Sequence, residues 1–292
     1  MEKKKVRAGT AISIIVVLLI IIGGLCGYIY TNRNNNNETQ ANSNEINTVG
    51  DITEQGQEID FNSAEVQKIM PFTGAFPSTE YRYLYKLGDI NASNITNEFI
   101  LRMAFSKVTK EDWADSYKGE DQPVSIGANV LDQYVKDIFG NVSYTKTEFS
   151  NKDLEVNING QGQANIYDSK LDGDRIVINW LLGADVDSDI IEMASKKAVK
   201  YSDRIEITLN PIILKFENQS EDDGNMIYTT YSRYNYDNQE CEGEVKANVS
   251  ESDALSNIDI SKLDTIKLIY KLDNNTGNYY FSEMTKTLSS NK

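Results

Sequence analysis

From Ala8 to Asn32 the chain carries no charged residue, and from Ala11 to Leu25 nearly every position is Ile, Val or Leu. A bilayer core about 30 Å thick is spanned by roughly 20 apolar residues rising 1.5 Å each as a helix. The run therefore predicts a transmembrane helix over residues 10–30. Lys3, Lys4, Lys5 and Arg7 precede it, and only Arg33 follows closely. By the positive-inside bias, residues 1–9 form a cytoplasmic tail and the remainder lies outside. The run is longer than a signal-peptide core, and Leu25-Cys26-Gly27 offers no small-x-small cleavage site.

The pattern then changes abruptly. Residues 31–63 are rich in Asn, Gln, Glu, Thr and Ser, with Asn34–Asn37 in a row. So few apolar side chains cannot offset the entropy of ordering, which predicts a disordered linker with a reach of about 30 Å. The domain is predicted to begin at Ala64 and to run over 64–292. Met70-Pro71-Phe72 and Ala75-Phe76-Pro77 read as an extended lead-in. Tyr81, Tyr83 and Tyr85 alternate with Arg82, Leu84 and Lys86, which predicts a short strand with a tyrosine face.

Two helices are predicted next. Thr96–Val108 places Phe99, Ile100, Met103, Ala104 and Val108 on one side, with Thr96 or Asn97 as its cap. Val130, Leu131, Tyr134, Val135, Ile138 and Phe139 recur at helical spacing, and Gly140 ends the run.

Beyond Gly140 the period becomes that of strands. Val142–Phe149 alternates in part, and Asp172-Gly173-Asp174 turns into Arg175–Leu181. Ile190–Tyr201 and Arg204–Phe216 pair around Ser202-Asp203, although Ile190–Lys200 also fits a helix. Met226–Arg233 is a strand, and the polar stretch Gln239–Leu263 reads as a loop or lid. Ile266, Leu268, Tyr270 and Leu272 alternate before a turn at 273–277 and a return over Asn278–Thr287. Two helices on a mainly antiparallel sheet make an α+β domain.

Composition narrows the chemistry. The 292-residue chain has a formal net charge of −15, and removing the four basic residues and Glu2 of its first seven leaves the rest at −18. Such an excess repels phosphate backbones, so no nucleic acid partner is expected. There is no histidine. Ser-His-Asp and Cys-His machinery, H-E-x-x-H zinc sites and histidine acid–base catalysis are thereby excluded within one chain. Cys26 falls in the predicted anchor, so Cys241 is the one thiol of the outer domain and no disulfide can form within it. Glu240, Glu242 and Glu244 around Cys241 argue against a reactive thiolate.

The candidate sites are few. Asp185, Asp187 and Asp189 have the spacing of cation-ligating acids. Ile190 stands where an EF-hand needs its turn glycine, however, and Lys196 where it needs the bidentate Glu, so they read as solvated loop acids or a weak Ca²⁺ site. Asp172 and Asp174 could be read as paired acids of glycoside hydrolysis, but Asp-Gly-Asp between strands is far more often a turn. Gly160-Gln161-Gly162 lacks the third glycine of a dinucleotide fingerprint. No catalytic, metal or cofactor-binding residue is assigned, and no cofactor is expected.

The helix end Asp137-Ile138-Phe139-Gly140, the following Val142–Tyr144 and the closing Asn278-Tyr279-Tyr280-Phe281, together with the Lys-rich anchor and Asn-rich tether, resemble the single-pass surface proteins of low-GC Gram-positive bacteria. The resemblance implies a fold similar to the NTF2-like or cystatin-like helix-on-curved-sheet arrangement, and it implies no activity. The function expected from these features is a membrane-tethered extracytoplasmic binding or assembly domain of the cell envelope, its partner an envelope protein or glycan. The alternatives are a carboxylate-dependent hydrolase of cell-wall glycan and a Ca²⁺-dependent binding module.

Overall fold

In a computed structural model, the structure describes residues 55–74, 77–113, 123–152, 167–180, 190–219, 226–235, 237–238 and 240–289. The predicted anchor over 10–30 lies outside them. Among the described residues no helix is long and apolar enough to cross a membrane.

Order begins earlier than Ala64. Gln57–Ile59 forms strand β1, paired antiparallel with Lys200, Val199 and Ala198. The linker expected over 31–63 is therefore too long at its C-terminal end. A short edge strand takes its stability from backbone pairing with a neighbour, so apolar content does not betray it. Helix α1 (Ala64–Ile69) follows, with the Ser63 hydroxyl accepting from the Val66 N–H.

The tyrosine stretch is helical, contrary to the expected strand. Helix α2 spans Pro77–Lys86. Proline suits the first helical position, because its fixed φ is already helical and the N–H it lacks would have no partner there. Tyr81, Arg82, Tyr83, Leu84 and Tyr85 are all buried. With five consecutive residues buried from Tyr81 to Tyr85, this part of α2 shows no alternation of buried and exposed positions at the helical period, and the tyrosines at every second position imitate a strand.

Helix α3 (Asn97–Phe105) is buried from Phe99 to Phe105, with the Thr96 hydroxyl accepting from the Phe99 N–H at 3.1 Å. A 3₁₀ turn over Lys110–Trp113 follows. Helix α4 (Ala128–Phe139) buries Leu131, Val135, Ile138 and Phe139 and stops at Gly140, whose φ of 67° favours glycine. Both lie close to the boundaries the apolar spacing predicts.

Strands β2 (Val124–Gly127), β3 (Tyr167–Asp172) and β4 (Arg175–Trp180) form a small antiparallel sheet in the order β2-β4-β3. Between Gly140 and β3 the expected strand over Val142–Phe149 is absent as a ladder. The chain runs alongside α4, where the Tyr144 hydroxyl and Lys146 both donate to Asp132. Val142, Tyr144 and Lys146 are half-buried and their neighbours exposed, so the alternation in sequence is real without a strand partner.

The large sheet contains β1, β5 (Ile190–Lys200), β6 (Arg204–Gln219), β7 (Met226–Asn235), β8 (Glu240–Ser250), β9 (Thr265–Asp273) and β10 (Asn278–Thr287). Ile190–Lys200 is thus strand, not helix. The stretch expected as a loop or lid contains β8, an edge strand with no fully buried residue, whose Cys241, Val245 and Val249 are only partly packed and too widely spaced to reveal a strand. The short helix α5 (Glu251–Ala254) follows it.

The sheet forks. Arg204–Leu209 of β6 pairs with β9, whereas Ile213–Gln219 pairs with β7. Between the two ladders stands Pro211, which has no N–H to give to either. Ile205, Ile207, Leu209 and Ile213 face the main core beneath α2, α3 and α4, while Ile212 and Leu214 face a second cluster with Tyr228, Ala254 and Leu263. Both faces of β6 are covered around the fork, so its sequence is apolar without alternation there.

Candidate functional site: a groove beside strand β10

The end of α4, the loop before α3 and the β9–β10 hairpin enclose an open groove of about 420 Å³. Phe139 and Val142 come from the helix end, Ala92 and Ile95 from the loop, and Tyr280 and Phe281 from β10. The rings beneath it form a connected cluster. Phe281 lies 5.4 Å from Phe139, 5.3 Å from Phe99 and 5.9 Å from Tyr270, with tilted or edge-on contacts. Such contacts add about 0.5–1.5 kcal/mol each beyond area burial. The apolar wall is therefore rigid and preformed.

Gly140 fixes one corner. A Cβ there would stand 2.9–3.0 Å from the Tyr280 ring, so this ring packs directly on the backbone that ends α4. The loop is braced by its own amides: Asn91 Oδ1 accepts from Ser93 N–H and Asn94 Oδ1 from Asn91 N–H, at 2.9 and 2.7 Å. Lys271 and Asp273 bring one cation and one anion to the rim. The Asp273 carboxylate already accepts from the Asn275 N–H and the Thr276 hydroxyl, which hold its pKa below the usual carboxylate value.

A second polar cluster fills the notch of the fork. Asp264 is fully buried. Arg233 Nη2 donates to its Oδ1 at 2.9 Å and Nε to its Oδ2 at 3.2 Å. The Ser289 N–H donates to Oδ1 at 2.7 Å and the Tyr85 hydroxyl to Oδ2 at 3.0 Å. Burial alone would raise the Asp264 pKa. The guanidinium and the other donors outweigh it and hold the carboxyl below its ordinary range. Tyr85, facing this carboxylate in a buried site, is pushed well up and stays a neutral donor. Every oxygen of Asp264 is engaged within the protein, so the cluster is a structural knot and not an acid awaiting a substrate.

A buried lysine caps α1. Lys107 Nζ donates to the carbonyls of Gln67, Lys68 and Met70 at 2.7, 3.1 and 3.1 Å. Burial lowers its pKa to about 8, with the Asp137 carboxylate acting in the opposite sense. The three carbonyls are those a short helix leaves without intrahelical donors.

Of the acids singled out in the sequence, Asp172 and Asp174 fall among the described residues. Asp172 and Asp174 sit exposed in the β3–β4 turn around Gly173, whose φ is 62°. The tight turn between two paired strands accounts for both acids. Asp185, Asp187 and Asp189 lie outside the described residues, as do Gly160 and Gly162. Cys241 is half-buried on β8, opposite Tyr234 and packed against the core. Among the described residues, no three of Cys, Asp and Glu are grouped to hold a metal.

In the sequence, Phe139-Gly140, Val142 and Tyr280-Phe281 read as packing and turn residues. Their convergence was not visible because the groove draws on four chain segments, with Ala92 and Ser282 nearly two hundred residues apart. Compared with known proteins, the chain matches no family model, no curated protein and no solved structure.

Proposed function

We propose that the protein is a membrane-tethered, extracytoplasmic binding domain of the cell envelope, and that its groove beside β10 holds the envelope component it binds. The tether and orientation rest on the uncharged run after Lys3, Lys4, Lys5 and Arg7. The binding reading rests on one observation: an apolar, aromatic-walled groove left open beside a charged rim in a chain of formal charge −15. Concave apolar surface with a few placed polar groups is the usual form of a recognition site.

Topology is tested by adding protease to intact cells that express the full chain. Loss of the folded domain without lysis, with the first residues protected, is the expected result. A domain degraded only after permeabilisation would overturn the orientation.

A further inference from the structure

We propose that the groove takes an extended peptide segment of a partner protein as an added strand on the outer edge of β10. This rests on reading the groove as the binding surface and specifies how it is used.

Strand β10 pairs with β9 along its inner edge. On its outer edge, Ile90 and Met284 exchange two backbone hydrogen bonds, at 2.9 and 2.8 Å, and the Lys286 N–H donates to Asp89 Oδ1 at 2.9 Å. There the neighbour stops, because the chain turns away through Asn91–Asn94. From Asn278 to Ser282 no strand flanks the outer edge among the described residues.

The register shows which backbone groups face out. Met284 turns its N–H and C=O outward to Ile90, so alternate residues do the same. The bulge between Phe281 and Glu283 moves that alternation by one residue. Tyr279 and Phe281 thus present their N–H and C=O groups outward, beside the apolar wall.

This edge also lacks the usual protection. Exposed edges are commonly guarded by charges or proline. Strand β8, the other long edge, carries Glu240, Glu242, Glu244 and Lys246. Asn278-Tyr279-Tyr280-Phe281-Ser282 carries no charge. Five residues at about 3.3 Å each give about 16 Å of edge without a strand neighbour among the described residues, enough for a short strand, with Lys68 donating to Asn278 Oδ1 at its turn end.

The occupant is a flexible segment and not a second copy of this chain. In a two-fold pair the groove rims around Ala92, Ile95 and Val142 of both copies would have to fit between two edges that must approach to about 4.8 Å, whereas a flexible segment brings no such rim. The formal charge of −15 on each copy opposes the pairing as well. The same charge favours a segment with basic flanks. Alternate apolar side chains would enter the groove, and main-chain hydrogen bonds to Tyr279 and Phe281 would supply the rest, as in strand addition generally.

The test uses the full chain in lipid nanodiscs and a fluorescent, end-capped peptide, Lys-Thr-Val-Thr-Phe-Thr-Val-Thr-Lys, with empty nanodiscs subtracted. Saturable binding is expected, together with slowed amide exchange at Tyr279–Phe281. N-methylation of the peptide amides along one edge should weaken binding at least tenfold. Val142→Lys and the milder surface change Ala92→Lys should do the same. Equal affinity for the N-methylated peptide would overturn strand addition while leaving a side-chain groove. Absence of any saturable binding by the peptide or by the apolar dye anilinonaphthalene sulfonate would overturn the groove itself. Dimerisation through a protected β10 edge without peptide would identify a second copy as the occupant and overturn the proposal.

Discussion

Arg233 donates two hydrogen bonds to the buried carboxylate of Asp264, at 2.9 and 3.2 Å, at the point where β7 and β9 part from β6. Asn210, next to Pro211, donates to the Asp264 carbonyl and to the Thr265 hydroxyl, at 3.2 and 3.0 Å. The ion pair thus joins the two branches of the sheet, and through Tyr85 and Ser289 it also joins α2 and the end of β10's strand run.

Arg233→Met leaves Asp264 as a buried charge without its cation. Breaking one partner of such a pair costs about 3–5 kcal/mol, whereas replacing both partners costs less. Chemical denaturation of Arg233→Met, Asp264→Asn and the double variant should therefore show strong non-additivity, with the double variant more stable than the sum predicts. Simple additivity would show that the pair does not act as a unit.

The same pair sets an acid limb. The folded pKa of Asp264 lies below its unfolded value, so its stabilisation is present above about pH 4 and is lost as pH falls through the folded pKa. Asp264→Asn should flatten the stability profile on that limb. An unchanged acid slope in this variant would remove Asp264 from the account.

Lys107 acts with the opposite sign. Its folded pKa of about 8 lies below the ordinary lysine value, so the buried ammonium is a cost at neutral pH. That cost is relieved as pH rises from about 8 to about 10.5, by no more than about 3 kcal/mol. Stability measured across this window should rise in the native chain. It should rise less in Lys107→Met, which is also less stable overall by about 1–3 kcal/mol because the carbonyls of Gln67, Lys68 and Met70 at the end of α1 lose their donor. Above pH 10 the buried neutral Tyr81 and Tyr85 reverse the trend, since ionising them is costly in the fold.

Gly140 links α4 to the groove. Its φ of 67° is costly for other residues, and a Cβ would press on the Tyr280 ring. Gly140→Ala should cost about 1–3 kcal/mol and loosen the groove corner, seen as a lower melting temperature and faster amide exchange around Tyr280. Thr96→Ala, by contrast, removes only the cap of α3, at about 1 kcal/mol. If both variants melted like the native chain, the local accounts of these two helix ends would fail.

How far the sequence reveals this architecture depends on what covers each element. Helices α3 and α4 were legible because Phe99–Ile100–Met103 and Leu131–Val135–Ile138 follow the helical period between recognisable ends. The β9–β10 hairpin was legible because one face of it alternates with the other, whereas Ile190–Lys200 fitted strand and helix alike and only its pairing with β6 decides it. Helix α2 was not, since every residue from Tyr81 to Tyr85 is buried and the tyrosines fall at every second position. Strand β8 was not, since an exposed edge needs no apolar face. The fork at Pro211 and the Asp264 knot join segments distant in sequence, and periodicity carries no record of such contacts. The groove was hidden for the same reason: Phe139, Val142 and Phe281 each look like ordinary core residues until Ile95 stands opposite them.

Site-directed photo-crosslinking on intact cells tests the central claim most directly. A benzoylphenylalanine placed at Ala92, on the groove rim, should give a discrete adduct with one envelope component. The adduct should vanish when Val142→Lys is added, and a probe at Lys246 on β8 should not give it. Equal labelling from both positions, or an adduct indifferent to Val142→Lys, would contradict the groove as the binding surface of this tethered domain.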